Sequence, residues 1–135
     1  MKIVIDTNRI IAALIKNGLS RKIILDKNFE FYTIDSTISE IYKYQDEIIE
    51  KTNISNEEFE ILLGYILDSI IIIPKEEYEN FIGDSINLIE DIGGIEFIAL
   101  CLALKADGIW TDDAHFQKQT KVKIFSTQKM FERSF

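Results

Sequence analysis

Acids follow two apolar strands in this chain. Val4-Ile5 runs into Asp6-Thr7-Asn8, and Ile109-Trp110 runs into Thr111-Asp112-Asp113. A strand buried on both faces reads as a continuous apolar run, and in open α/β sheets ligands gather at the carboxyl ends of such strands. If both strands are central and parallel, Asp6, Asp112 and Asp113 stand at one edge of the sheet. Two carboxylates about 4 Å apart repel by roughly 4 kcal/mol at an effective dielectric near 20, so a cluster of them points to a bound cation. Hard oxygen donors, with waters and a substrate phosphate, suit Mg²⁺ or Mn²⁺. Such an ion polarises a phosphodiester and lowers the pKa of an attacking water.

The residues around those acids have two readings each. Thr7 and Asn8 are candidates to hold a metal-bound water, or Asn8 caps the following helix. Thr111 is placed either to orient a neighbouring carboxylate or simply to pack at a strand end. The single His115 excludes a multi-histidine zinc centre and reads as a surface or capping residue beside the acid pair. Cys101, the only cysteine, has no partner for an internal disulfide; within an apolar run it reads as a small buried hydrophobe. Arg9, Lys16, Arg21, Lys22, Lys118 and Lys121 offer a phosphate-binding rim, though each alone reads as a solvated charge. Trp110 and Phe116 read as core.

The elements that must position these groups alternate between strand and helix. After a strand ending at Ile5, residues 9–16 read as a helix stopped by Gly18. Ser20 is placed to cap a second helix. Residues 30–34 and 70–73 are β-branched and aromatic strands, the latter ended by Pro74, the only proline. Thr37-x-x-Glu40 and Ser55-x-x-Glu58 both fit capping boxes, which gives Glu40 a structural role as well as a candidate catalytic one. Residues 76–90 read as one helix broken by Gly93-Gly94, and 95–105 as a strongly apolar central helix. Strands at 108–110 and 122–125 and a helical turn at 128–131 complete an α/β pattern with a parallel sheet.

The 135 residues suit one domain, 1–135, without linker or repeat. A hydrophobic fraction of 47% with 28% charged residues marks a globular chain. No apolar run approaches the roughly 20 residues that span a bilayer, and no signal core follows a basic start, so a cytoplasmic protein without membrane contact is expected. The net charge of −8 argues against a general nucleic-acid-coating role. Residues 31–91 hold fifteen Asp/Glu against three Lys/Arg, so the acidity is concentrated in the middle and both ends tolerate a polyanion.

Four segments together carry a resemblance. Val4-Ile5-Asp6-Thr7-Asn8, Ser39-Glu40-Ile41-Tyr42-Lys43-Tyr44, the run from Glu96-Phe97 to Leu104, and Gly108-Ile109-Trp110-Thr111-Asp112-Asp113-Ala114-His115-Phe116 occur in an order and spacing similar to PIN-domain proteins. That is the nuclease fold of VapC-type toxins. The resemblance implies a three-layer α/β/α sandwich with a central parallel sheet, and a metal-dependent endoribonuclease that cleaves single-stranded RNA. By it, Asp6, Glu40 and Asp113 match family acids, Asp112 is an adjacent candidate, and Asp6, Asp113 and Asp112 would hold Mg²⁺ or Mn²⁺. It further implies an antitoxin protein partner and a homodimer.

One departure matters. Another acid usually precedes the aromatic corresponding to Phe97 by three residues, and Gly94 stands there. Asp91 and Glu96 are the nearest possible substitutes; otherwise Asp91 is a solvated acid and Glu96 an ordinary first-turn residue. Gly94 motivates the alternative of a catalytically weakened PIN domain that binds RNA or a partner. A phosphatase or receiver-like domain is a weaker third reading, since it too places an acid after its first strand.

Overall fold

The run Lys2–Ile5 forms β1, and β1 is the middle of the molecule. In the computed structural model, which describes residues 1–90 and 92–134 (Ile92 by backbone alone), it pairs in parallel with strands on both sides. The other strands are β2 (Glu30–Ile34), β3 (Ile70–Ile73), β4 (Gly108–Trp110) and β5 (Ile124–Phe125). Among the described residues the sheet order is β3-β2-β1-β4-β5, all parallel. Register decides the site. Ile5 pairs with Trp110, so Asp6 and Thr111 leave the sheet side by side.

Alternation along β1 explains the layers. Ile3 and Ile5 are fully buried in one cluster with Ile10, Leu14, Phe59 and Trp110, whereas Val4 is fully buried in a second with Tyr78, Phe97 and Ile98. The first face is covered by α1 (Thr7–Ile15), α2 (Leu19–Ile24), α4 (Gln45–Thr52), α5 (Asn56–Leu67) and α8 (Thr127–Arg133). The second carries α6 (Ile82–Ile86) and α7 (Ile92–Leu104), and α3 (Thr37–Lys43) follows β2. Helices on both faces of a parallel sheet give the α/β/α sandwich that the sequence implies. No helix among the described residues is long and apolar enough to cross a membrane.

Several local expectations are corrected. The helix expected over 76–90 is two short 3₁₀ turns, Lys75–Glu77 and Glu79–Phe81, followed by α6. Tyr78 interrupts it, with φ −126° and a fully buried ring whose hydroxyl is held by Asp35 and Glu96. Gly93 and Gly94 do not break a helix but lie in the first turn of α7. Ser20 caps nothing, because α2 starts at Leu19 with Gly18 at its cap position. The Thr37–Glu40 capping box is absent: Thr37 is already helical, and its hydroxyl bonds Thr7 and Thr33. The Ser55–Glu58 box is formed in full. The last strand begins at Ile124, since the Gln119 side chain occupies both the N–H and the carbonyl of Val122.

Candidate active site

Asp6 has left β1 and become the N-cap of α1, its Oδ1 accepting the Asn8 N–H at 3.3 Å. A carboxylate suits that position because the first turn offers unpaired N–H groups and a positive dipole end. The cap role weighed for Asn8 therefore belongs to Asp6. Oδ2 accepts a short bond from the Thr111 hydroxyl, 2.6 Å, across the β1–β4 register. Asp6 is only 7% exposed, and that burial pushes its pKa up. The Thr111 hydroxyl, the Asn8 N–H and the Arg9 charge oppose the rise, while the nearby charge of Asp113 adds to it. The site thus holds a desolvated carboxylate with a second one close enough to be felt.

The two acids after β4 part company. Asp113 caps the 3₁₀ turn Ala114–Lys118, and its Oδ1 takes both the backbone N–H of His115, 2.9 Å, and the His115 ring Nδ1, 2.8 Å. Those bonds, the backbone one first, hold its pKa below the ordinary carboxyl value. Its own N–H donates to Thr111 Oγ1 at 3.1 Å, so Thr111 bridges Asp113 and Asp6. Asp112 turns elsewhere. It pairs with Arg9 at 2.8 Å and accepts from the N–H and hydroxyl of Thr127, tying the end of β4 to α1 and α8.

A cleft of about 160 Å³ collects Asp6, Thr7, Asn8, Glu40, Gly93, Gly94, Phe97, Asp113 and Phe116. Of the acids singled out in sequence, Asp6, Glu40 and Asp113 line it and Asp112 does not. Glu40 lines the same cleft from α3, with Lys43 3.4 Å away. Glu96 is directed to the Tyr78 hydroxyl at 3.3 Å and is not among the lining residues. Asp91 lies outside the described residues. Gly94 is buried, and a Cβ there would stand 2.8 Å from Ile89 Cδ1 and 3.1 Å from the Phe116 ring. Of the proposed basic rim, Arg9 is paired with Asp112 and Arg21 donates to the Ala13 carbonyl at the end of α1. His115 is exposed beside Asp113, and Trp110 and Phe116 are core. Thr33 and Thr37, two buried residues linked to the cleft through Thr7, had no functional reading in sequence; their only signal was a β-branched hydroxyl recurring at positions 7, 33 and 37.

Among the described residues, no three acids, histidines or cysteines lie close enough together to hold an ion between them. Two carboxylates do converge, however, and Mg²⁺ is characteristically held by one or two carboxylates with waters and a substrate phosphate filling its shell. Asp6, desolvated and repelled by Asp113, is the kind of acid a cation would stabilise. The donor set fits a loosely held hard ion, not an all-protein cage.

The parallel sheet with acids at its carboxyl edge defines the class as an α/β domain with its candidate site where ligands gather in such sheets. A family model described as PIN domain matches residues 4–133, and the chain belongs to that family. Its fold is similar to that of a chain in the crystal structure of VapBC2 from Rickettsia felis bound to a DNA fragment from their promoter. The TM-score is 0.71 over 93% of this chain and 98% of that one, at 16% identity. At that identity the likeness is one of fold. No curated protein matches the chain.

Proposed function

We propose that this chain, one domain over 1–135, is a divalent-metal-dependent endoribonuclease that cleaves single-stranded RNA. We further propose that it is the cytoplasmic toxin of a toxin–antitoxin pair. The observation that carries the catalytic reading is that buried Asp6 and Asp113 line one cleft, with the Thr111 hydroxyl donating to the Asp6 carboxylate and accepting the Asp113 backbone N–H. Family membership supports the nuclease chemistry. The fold likeness to a chain of VapBC2 supports an antitoxin protein as partner, and a homodimer is part of the same proposal.

Asp6 and Asp113 would hold Mg²⁺ or Mn²⁺, with Glu40 facing them. The ion would supply polarisation of the phosphodiester and a lowered pKa for an attacking water. The chain's own residues do the rest. Thr111 fixes the Asp6 carboxylate, and the Asn8 N–H holds its other oxygen. His115 takes Asp113 Oδ1 twice and so sets the orientation of that carboxylate. Phe97 and Phe116 wall the cleft with apolar surface beside the buried Asp6 carboxylate. Asp112 is left out of the ligand set, since its oxygens are engaged by Arg9 and Thr127. Incubation of single-stranded RNA with the protein and Mn²⁺ is expected to give cleavage that Asp6→Asn abolishes. Intact RNA with both proteins would overturn the assignment.

The crowding at Gly94 favours a second reading, a weakened PIN domain that binds RNA or a partner without cutting. A carboxylate at that position needs Ile89 and Phe116 to move, so a usual family acid has no room there. Retention of RNA by a protein that leaves it uncut in Mn²⁺ would select this reading.

A further inference from the structure

Three buried threonine hydroxyls run in a line from the end of β1 to the cleft. Thr33 Oγ1 lies 3.0 Å from the Ile5 carbonyl oxygen, Thr33 and Thr37 hydroxyls are 3.1 Å apart, and Thr37 and Thr7 hydroxyls 3.0 Å. Each hydroxyl has one proton to give, and a carbonyl only accepts. One assignment therefore makes all three bonds at once. Thr33 donates to Ile5, Thr37 donates to Thr33, and Thr7 donates to Thr37. At 0% and 1% exposure, Thr33 and Thr37 have no bulk water with which to trade these protons.

We infer that this line of hydroxyls fixes Thr7 Oγ1 as an acceptor toward the cleft, positioning it to receive a hydrogen bond from a water carried by the bound cation. Thr7 lines the cleft directly between Asp6 and Asn8 in sequence. With its proton committed inward, what its oxygen has left is lone-pair capacity. A cation strengthens its own waters as donors, so an acceptor-only neighbour suits them and a donor would repel them. Thr33 and Thr37 never touch the ion; they are positioning residues acting through Thr7. Hydrogen bonds in series polarise one another, so the Ile5 carbonyl at the far end strengthens the acceptor at the near end. The inference rests on the cation site proposed above at Asp6 and Asp113.

Neutron diffraction from deuterium-exchanged, metal-free crystals reads the polarity without any reaction. Deuterons are expected on the Thr7-to-Thr37, Thr37-to-Thr33 and Thr33-to-Ile5 lines. A Thr7 deuteron turned into the cleft would overturn the inference. Its role is read by Mn²⁺ titration, following the electron-paramagnetic signal of the free ion. Thr37→Val should weaken Mn²⁺ binding about tenfold, as outer-shell changes do, and Thr37→Ser should restore it. A variant that melts earlier while binding Mn²⁺ as the parent does would reduce Thr37 to a packing role and overturn the positioning claim. Failure of the parent itself to bind Mn²⁺ would remove the cation site and the positioning role with it, whereas the deuteron positions still decide the polarity.

Discussion

At the scale of single residues, the decisive contrast is between two adjacent aspartates that look alike in sequence. Nothing in Thr111-Asp112-Asp113 says which side chain enters the cleft, because that depends on Arg9 and Thr127, which are brought together only by the fold. Asp112→Asn is therefore expected to destabilise by roughly 1–2 kcal/mol, less than a buried pair because the aspartate is partly exposed, with Mn²⁺ affinity retained. Thermal melts with and without Mn²⁺ check both halves; a lost metal response would return Asp112 to the ligand set. Asp6 was legible in sequence as a strand-end acid, but its burial was not. A carboxyl whose folded-state pKa exceeds its unfolded value adds stability when protonated, complete below the unfolded pKa and lost as pH rises through the folded one. Above the folded-state value the wild type has lost that contribution and holds a desolvated charge. On that alkaline side Asp6→Asn should melt higher than wild type in metal-free buffer, by on the order of 1 kcal/mol or about 3–5 °C, with the gap closing as the solution is acidified. A gap that does not change with pH, or a variant less stable than wild type throughout, would contradict this.

At the scale of elements, strands were easier to read than the helices between them. β2, β3 and β4 lie where their β-branched and aromatic runs put them; β2 and β4 are buried almost throughout, and β3, at the sheet edge with Ile71 exposed, is still marked by four consecutive β-branched residues. Residues 76–90 do not form the single helix their spacing predicts, because Tyr78 answers to Asp35 and Glu96, which are distant in sequence. Gly93-Gly94 misled for a related reason. A glycine pair reads as a break, yet here glycine answers a close approach by Ile89 and Phe116, and the helix runs through it. Gly94→Asp tests that account. It should cost roughly 1–3 kcal/mol, as overpacking does, and it also places a charge where a buried side chain would stand. Urea unfolding checks it; an undiminished midpoint would mean the Ile89 and Phe116 walls yield freely.

At the scale of the whole molecule, order of strands was the property the sequence could only suggest and the fold supplies. With β1 between β2 and β4, the ends of three consecutive strands face one cleft, and α3 brings Glu40 to it from the β2 side. The excess of acid in residues 31–91 lies mostly on exposed helix surface, so it leaves the cleft's charge set by a few residues. That makes a cation a global stabiliser. An ion that binds the native state and not the unfolded chain adds RT ln(1 + [L]/Kd), about 2.7 kcal/mol at a free concentration a hundredfold above Kd. The contribution has to vanish when the desolvated carboxylate is neutralised, because what the ion relieves is chiefly the burial of the Asp6 charge, with the nearby charge of Asp113 a smaller part. Mn²⁺ should therefore raise the melting temperature of the wild type in a concentration-dependent way, leave Asp6→Asn flat, and raise Asp112→Asn as it raises the wild type. Equal shifts in the wild type and Asp6→Asn would mean that the ion binds elsewhere, on the acidic surface.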